Sequence, residues 1–394
     1  MSERVPNGWK KIVIGDFLKT FPKSKFPSSE SQKNGYYNFY VCSQNVLKSF
    51  HNNFSSPSIL FSTGGEAAVH YAIGKYSYST DVWAVNFLRE ICNEYGFRIF
   101  ESNIKEINYL GFQGSGIKHL DKHYIKKLTF TVPPIPEQKK ISSILTYTDK
   151  VIENTQQEIN KLDDLKKATI NKLCTKGNCN SKLKDSKLGK IPINWEVSTV
   201  NKLFPKVVVG YVGNVNNYYC DASDGVSFYR TQNVRPNKFL LKTDVYVTKE
   251  FHSKNKKSSI KNGDVLISRV GANLGMICMV DGLEKEANAA NVIVIKQTKY
   301  YSSRFLSIFL NSDIGQKNIF LDVIGGAQDV YNTNTAKSLL IPVPPKKEVN
   351  DIVDIVSVIE NNISNKKNKL AQIESLKKSL MKDLLTGKVR VKVN

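Results

Sequence analysis

The chain carries one long amphipathic stretch twice. The first copy starts at Val132 (VPPIPEQKKISSIL) and the second at Val343 (VPPKKEVNDIVDIV), a constant offset of 211 residues. In that register Pro133 and Pro134 meet Pro344 and Pro345, Glu137 meets Glu348, Ile141 and Ile144 meet Ile352 and Ile355, and Leu165, Lys166 and Lys167 meet Leu376, Lys377 and Lys378. Solenoid units repeat every ~20–50 residues, so this period is too long for one. It requires a duplicated pair, each member a globular segment followed by a helix.

Each copy carries a seven-residue apolar period, which keeps one stripe of a helix facing a partner over many turns. The second seam is Ile352, Val356, Ile359, Ile363, Leu370, Ile373, Leu380 and Leu384, broken at Lys366 and Lys377. The first is more polar: Ile141, Leu145, Thr148, Ile152, Thr155, Ile159, Leu162, Lys166, Thr169 and Leu173. Such a seam suits an antiparallel pair within one chain better than a symmetric zipper, with dimerisation between chains as the competing reading. Pro136 fits the first helical turn, and Gly177 and Gly387 are natural stops. A helix from Glu137 to Leu173 would be a rigid spacer of about 55 Å.

The segment before each helix mixes short apolar runs with Gly, Asn, Ser and Pro, the pattern of mixed strand and helix. The two segments share anchors: a proline three residues before a tryptophan (Pro6 and Trp9; Pro192 and Trp195), a strand running into a polar turn (SILFSTGGEAAV from Ser58; DVLISRVGANLG from Asp264), and a following strand (DVWAV from Asp81; NVIVI from Asn291). Gly114 and Gly325 lie at the same 211-residue offset. Between anchors the residues differ freely, as expected for one scaffold carrying two different surfaces.

The net charge is +22 in 394 residues, and it is spread: +6 on residues 1–130 and +9 on 181–341. Dispersed positive charge on folded segments suits a surface that holds a nucleic-acid duplex along its length. No run of eighteen apolar residues and no apolar leader stand in the sequence, so the expected location is the cytoplasm, with no membrane role. The six scattered cysteines form no CxxC pair.

Catalytic motifs are missing. Neither GxxxxGK[ST] nor GxGxxG occurs, and the double prolines follow Val132 and Val343 instead of the Asn or Asp that amino-methyltransferases need for a flipped base. His119 and His123 would share a face only on a helix and have no third ligand nearby, so no metal site and no catalytic residue is expected. Candidate DNA contacts lie in the turns after strands. In the second segment these are Ser268, Arg269 and Asn273, with Arg230, Gln232, Asn233 and Arg235 in YRTQNVRP, since Arg suits guanine or phosphate and Gln or Asn suits adenine. In the first segment they are Thr63, Gly64, Gly65, Lys75, Tyr76 and Tyr78. Two matched glycine-rich turns add Gln113, Ser115 and Lys118, and Gln328, Asn332 and Asn334.

The combination of PPIPEQKKI at Pro133, GDVLISRVG at Gly263, GGAQ at Gly325, IPVPP at Ile341 and LLTGK at Leu384 resembles the specificity subunit of type I restriction-modification systems, over essentially the whole chain. Two local departures are Val349, where that family has Gln, and Lys346 with Lys347 at the second helix start. The resemblance implies an α+β/α/β fold: two mixed α/β target recognition domains (1–131 and 179–342) linked by two long antiparallel coiled-coil helices (132–178 and 343–388), then a tail (389–394), with an internal pseudo-two-fold repeat. It implies a non-catalytic DNA-specificity subunit that recognises a bipartite target in double-stranded DNA. Two methyltransferase subunits and the restriction subunits would be partners, the seam helices serving as spacer and dock. No cofactor would bind directly, and S-adenosylmethionine, ATP and Mg would sit on the partners, which methylate adenine N6. The alternative from another class is a stand-alone sequence-specific DNA-binding regulator or coiled-coil scaffold.

Overall fold

The structure is a computed structural model that describes residues 5–178, 181–321 and 331–393. The chain divides into two compact units, one made of residues up to 157 together with those from 367, the other of residues 158–366. Each unit therefore holds a globular part and a portion of both long helices.

In the first unit Lys10–Val13 runs antiparallel to Thr129–Val132, with Lys10 opposite Val132, so the start of the globular part is stitched to the strand just before the double proline. The main sheet has the order Leu18–Thr20, Val82–Phe87, Ser58–Ser62, Val69–Ala72. A smaller sheet places Tyr37–Tyr40 between Leu47–Ser49 and Tyr76–Tyr78, the last pairing being parallel. The second unit repeats this plan. Glu196–Thr199 pairs with Leu340–Val343, the main sheet runs Val207–Val209, Val292–Ile295, Val265–Ser268, Ile277–Met279, and Gly225–Tyr229 again pairs parallel with a distant strand, Ala287–Ala289.

The central strands read as continuous apolar runs because both faces of the sheet are covered. Alternate side chains point to opposite faces. Ile59, Phe61, Trp83 and Val85 pack on the helix side, with Tyr95 and Phe100 of the helix Asn93–Ser102, whereas Leu60, Val82 and Ala84 join Tyr76 and Tyr78 on the other side. In the second unit Val265, Ile267, Ile293 and Ile295 meet Phe305 and Phe309 of the helix Ser303–Leu310, while Leu266, Val292 and Val294 face Tyr229 and Val280.

The long helices are Ile135–Lys176, 42 residues, and Lys346–Leu385, 40 residues. The first starts two residues earlier than Glu137 and ends three later than Leu173: the preceding strand stops at Val132, the double proline follows, the helix begins at Ile135, and Gly177 supplies the left-handed stop (φ 69°). Gly387 repeats that stop (φ 71°). Within the first unit Ile141 and Leu145 share a core with Met381 and Leu384; within the second Ile170 and Leu173 share one with Val349, Ile352 and Val356, so within each unit one helix's beginning lies against the other's end, an antiparallel pairing. The polar seam positions need no partner helix: Thr148 Oγ1 donates to Ile144 O at 2.9 Å and Thr155 Oγ1 to Val151 O at 2.7 Å. The two lysines that break the second seam are ion-paired, Lys366 with Glu158 and Lys377 with Glu101 and Asp149.

A further repeat is visible only in the fold. Arg98, 4% exposed, grips Asp149 of the first long helix at 2.6 Å, and Arg304 grips Glu360 of the second. Asp149 and Glu360 are 211 residues apart. Burial would lower the Arg98 pKa, but the Glu101 and Asp149 carboxylates outweigh it and hold it above the usual value. Breaking such a buried pair from one side costs about 3–5 kcal/mol, since it strands a charge. Each globular part is thus latched to the helix that follows it.

Candidate nucleic-acid interface

In the first unit the structure brings Thr63, Gly64 and Gly65 together with the hairpin formed by Phe112–Gln113 and His119–Leu120. Gly65 N–H donates to Lys118 O at 2.9 Å, Leu120 N–H donates to Thr63 O at 3.1 Å, and Gly64 bridges to His119. Gln113, Ser115 and Lys118 all stand exposed on this hairpin, beside Ile117 at 73% exposure. The loop after Tyr37–Tyr40 joins the same end, where Gln44 Nε2 donates to Ala67 O at 2.8 Å. Gly65 has φ 80° and nothing near its missing side chain, which leaves its backbone open to close approach.

Four first-unit candidates are corrected. Tyr76 and Tyr78 are each 1% exposed and their hydroxyls donate to Ser56 O (2.8 Å) and Pro22 O (2.9 Å), so they are core residues without a surface to offer. Burial raises the Tyr76 phenol and pushes that of Tyr78 up to about 12. Thr63 Oγ1 is engaged by Asp81 O at 2.7 Å and serves the turn. Lys75 is exposed but emerges after Ala72, which pairs with Ser58, whereas Thr63 follows Ser62 at the other end of that strand. Lys75 is therefore not part of the Thr63–Lys118 cluster. His119 and His123 fall on a strand and on the helix Lys122–Lys127, so the shared helical face does not form.

In the second unit Asn273 Nδ2 donates to Thr231 O at 3.3 Å, which ties the turn after Val265–Ser268 to the segment bearing Arg230 and Gln232. Gln232 is exposed and, with Lys238, Leu241, Lys242 and Asp244, lines an open groove of about 630 Å³. Arg230, Arg235, Arg269 and Asn273 are half-buried. Arg235 Nη1 donates to Val234 O at 2.8 Å, and Arg269 Nε donates to Tyr331 O at 3.3 Å; these bonds hold the stems in place and leave other guanidinium donors for a ligand. The sequence reading missed Lys238, which pairs with Arg235 across a turn whose Asn237 has φ 56°. The PN dipeptide between them was the available signal.

Three second-unit candidates also prove structural. Asn233 is 4% exposed; its Oδ1 accepts from Arg230 N–H and its Nδ2 donates to Leu240 O and Lys242 O. Ser268 is fully buried at the strand end. Asn332 caps the helix Thr333–Ser338 by accepting from Asn334 and Thr335 N–H, both at 2.9 Å, while Asn334 itself is exposed. Gln328 lies outside the described residues.

The seam residues assigned to spacer and docking face inward. Ile141, Leu145, Ile159, Ile352, Val356 and Ile363 are buried, and Ile152, Leu162, Ile359, Leu370, Ile373 and Leu380 are half-buried, so the buried six have little side-chain surface to offer a partner. The exposed large apolar residues on the long helices are others: Ile355 (39%), whose counterpart Ile144 is half-buried, and two repeat-matched pairs, Tyr147 (71%) with Val358 (59%) and Leu165 (51%) with Leu376 (54%). The first unit carries Tyr147 and Leu376, the second Leu165 and Val358.

No helix among the described residues is long and apolar enough to cross a membrane. The profile of the type I restriction modification DNA specificity domain matches residues 6–164 and 163–375. The chain is 27% identical over 413 aligned positions to the type I restriction enzyme MjaVIII specificity subunit of Methanocaldococcus jannaschii, covering 99% of this chain and 95% of that one. Its fold is shared with the crystal structure of the type I restriction-modification system S subunit from M. genitalium (TM-score 0.64, 16% identity, 98% of both chains). It is shared also with a chain from a structural study of complex assembly in a type I R-M system (TM-score 0.59, 12% identity, 98% and 100% of the two chains). With two copies of the domain on a duplicated helix pair, the chain belongs to the type I restriction-modification DNA specificity family and is a DNA specificity subunit.

Proposed function

We propose that each globular part reads one half of a bipartite target in double-stranded DNA, and that the paired helices fix the gap between the halves. The observation that carries this reading is the same strand topology built twice with different chemistry in its end loops: Gln113, Ser115 and Lys118 in one unit, Arg230, Gln232, Arg235 and Arg269 in the other. Phosphate contacts position a protein on DNA, while base-edge contacts specify sequence. The excess charge of +22 supplies the first, and the Arg and Gln side chains supply the second.

The matched exposed pairs, Tyr147 with Val358 and Leu165 with Leu376, favour two identical partners bound in equivalent ways. Those partners are two methyltransferase subunits acting on adenine N6, with restriction subunits joining them in the cytoplasm. S-adenosylmethionine, ATP and Mg belong to those subunits, and this chain contributes DNA selection and no catalytic group.

Methylome sequencing of cells expressing the chain with its partners tests the reading. Exchange of residues 1–131 for those of a relative should change one half of the methylated sequence and leave the other intact. Insertion of one heptad into the first long helix should alter the gap alone. If both halves change on the exchange, or purified methyltransferase subunits do not bind the chain, the reading is wrong.

A further inference from the structure

The two long helices start differently, each in a corner within its own unit. In the first unit Gln138 is fully buried; its Nε2 donates to the carbonyls of Glu90 (2.6 Å) and Pro133 (2.8 Å), and its Oε1 accepts from Cys92 N–H (2.8 Å). These bonds sew the first turns of the helix to the segment leading into Asn93–Ser102. At the repeat offset of 211 residues Val349 takes the place of Gln138, and residues 299–302 directly precede the helix Ser303–Leu310 just as residues 89–92 directly precede Asn93–Ser102. A valine side chain has no donor or acceptor and cannot make those bonds.

In the second unit the corner is an open pocket of about 350 Å³, bounded by Lys299, Tyr300, Val343, Pro344, Lys346 and Val349 among others. Its walls are largely apolar, and among the described residues no carboxylate lines it. Tyr300 is 71% exposed, with the Lys299 ammonium 5.5 Å from its ring centroid. Lys346, one of the departures at the second helix start, stands exposed at the rim, and Lys347 beside it is exposed.

We propose that this pocket is a docking socket for a polypeptide segment of a partner subunit, one that inserts an apolar side chain and sets an adjacent carboxylate between Lys299 and Lys346. The inference rests on the functional reading above, which supplies protein partners. An apolar wall ringed by cations fits an acidic-apolar peptide; a phosphodiester would satisfy the lysines and leave the exposed Tyr300 ring and half-buried Val343 uncovered. Because Gln138 fills the matching corner of the first unit, the repeat-matched docking faces are made unequal by this contact, and one partner copy is held by a bond the other lacks.

The test uses the full chain assembled with its purified methyltransferase subunits on duplex DNA. Tyr300→p-benzoylphenylalanine should crosslink on irradiation to a partner subunit, at a segment with an acidic residue beside an apolar one, and Glu90→p-benzoylphenylalanine at the matching place should not. Lys346→Glu, at an exposed position, should weaken binding of one partner copy about tenfold, whereas Lys346→Arg should bind as the unaltered chain does. Val349→Gln should reproduce the loss by refilling the corner. Assembly without a crosslink from position 300, a crosslink to DNA, or unchanged binding by Lys346→Glu overturns the socket alone. Failure of the unaltered chain to bind any methyltransferase subunit overturns the functional reading and the socket with it.

Discussion

The repeat provides an internally controlled measurement of one buried hydrogen bond. Trp195 is fully buried, and its Nε1 donates to Glu348 Oε2 at 2.8 Å, while the Asn178 N–H donates to the other oxygen at 3.1 Å. Trp9 stands at the matching corner of the first unit, 6% exposed, but its Nε1 has no hydrogen-bond partner among the described residues. There the matching carboxylate, Glu137, is held by the Arg390 guanidinium at 2.7 and 2.8 Å, with Arg390 also over the Trp9 ring. Trp→Phe removes the same ring volume at both sites, yet only Trp195→Phe leaves a buried carboxylate short of a donor. A hydrogen bond to a charged group contributes about 1.5–3 kcal/mol net. Trp195→Phe should therefore cost about 2 kcal/mol more than Trp9→Phe, or roughly 4–8 °C in Tm for a unit of this size. Urea unfolding followed by circular dichroism, with hydrogen exchange to localise the loss to one unit, reads the difference. Equal losses at both sites would refute the assignment of stability to the Trp195–Glu348 bond.

Tyr76→Phe should lower stability by about 1 kcal/mol through loss of the bond to Ser56 O and leave the methylated sequence unchanged; an altered sequence would restore Tyr76 as a DNA contact. Arg269→Ala should weaken DNA binding by about 1–3 kcal/mol and relax one position of the target, and uniform loss across all sequences would make it a phosphate contact. Alkali should destabilise the fold in a defined window. The Tyr78 phenol is pushed from 10.0 to about 12 and the Cys278 thiol from 9.0 to about 12, both by burial. The unfolded chain therefore releases these protons first, and the stability they hold is intact below about pH 9 and is lost as pH rises towards 12. A urea midpoint that stays flat across that range would contradict the burial.

Much of the scaffold was legible because it depends on periodicities that local chemistry enforces. The 211-residue offset, the heptad seams, the double-proline starts, the glycine stops and the paired SILFS and DVLIS strands all reappear in the fold at the places assigned to them. Side-chain roles at the surface were much less legible. Asn233, Asn332 and Thr63 carry the polar groups that suit a DNA base, yet the same groups satisfy backbone atoms in their own turns. A residue type states what a side chain can bond, and only its neighbours decide whether the bond is already made.

The inward and outward faces of the helices divide in the same way. By itself the sequence determined that two like units exist, that each ends in a long helix, and which stripe of that helix is apolar, since covalent order and a fixed helical period are enough for that. Tertiary structure alone decided which seam residues are fully buried, that Tyr147, Val358, Leu165 and Leu376 are left outside, and that Arg98 and Arg304 latch each globular part to its own helix. It alone converted a single Gln-to-Val difference between repeats into a filled corner and an open one. These outcomes depend on contacts between residues distant in the chain, such as Arg98 with Asp149 and Gln138 with Glu90, and chain order does not encode which distant groups will meet.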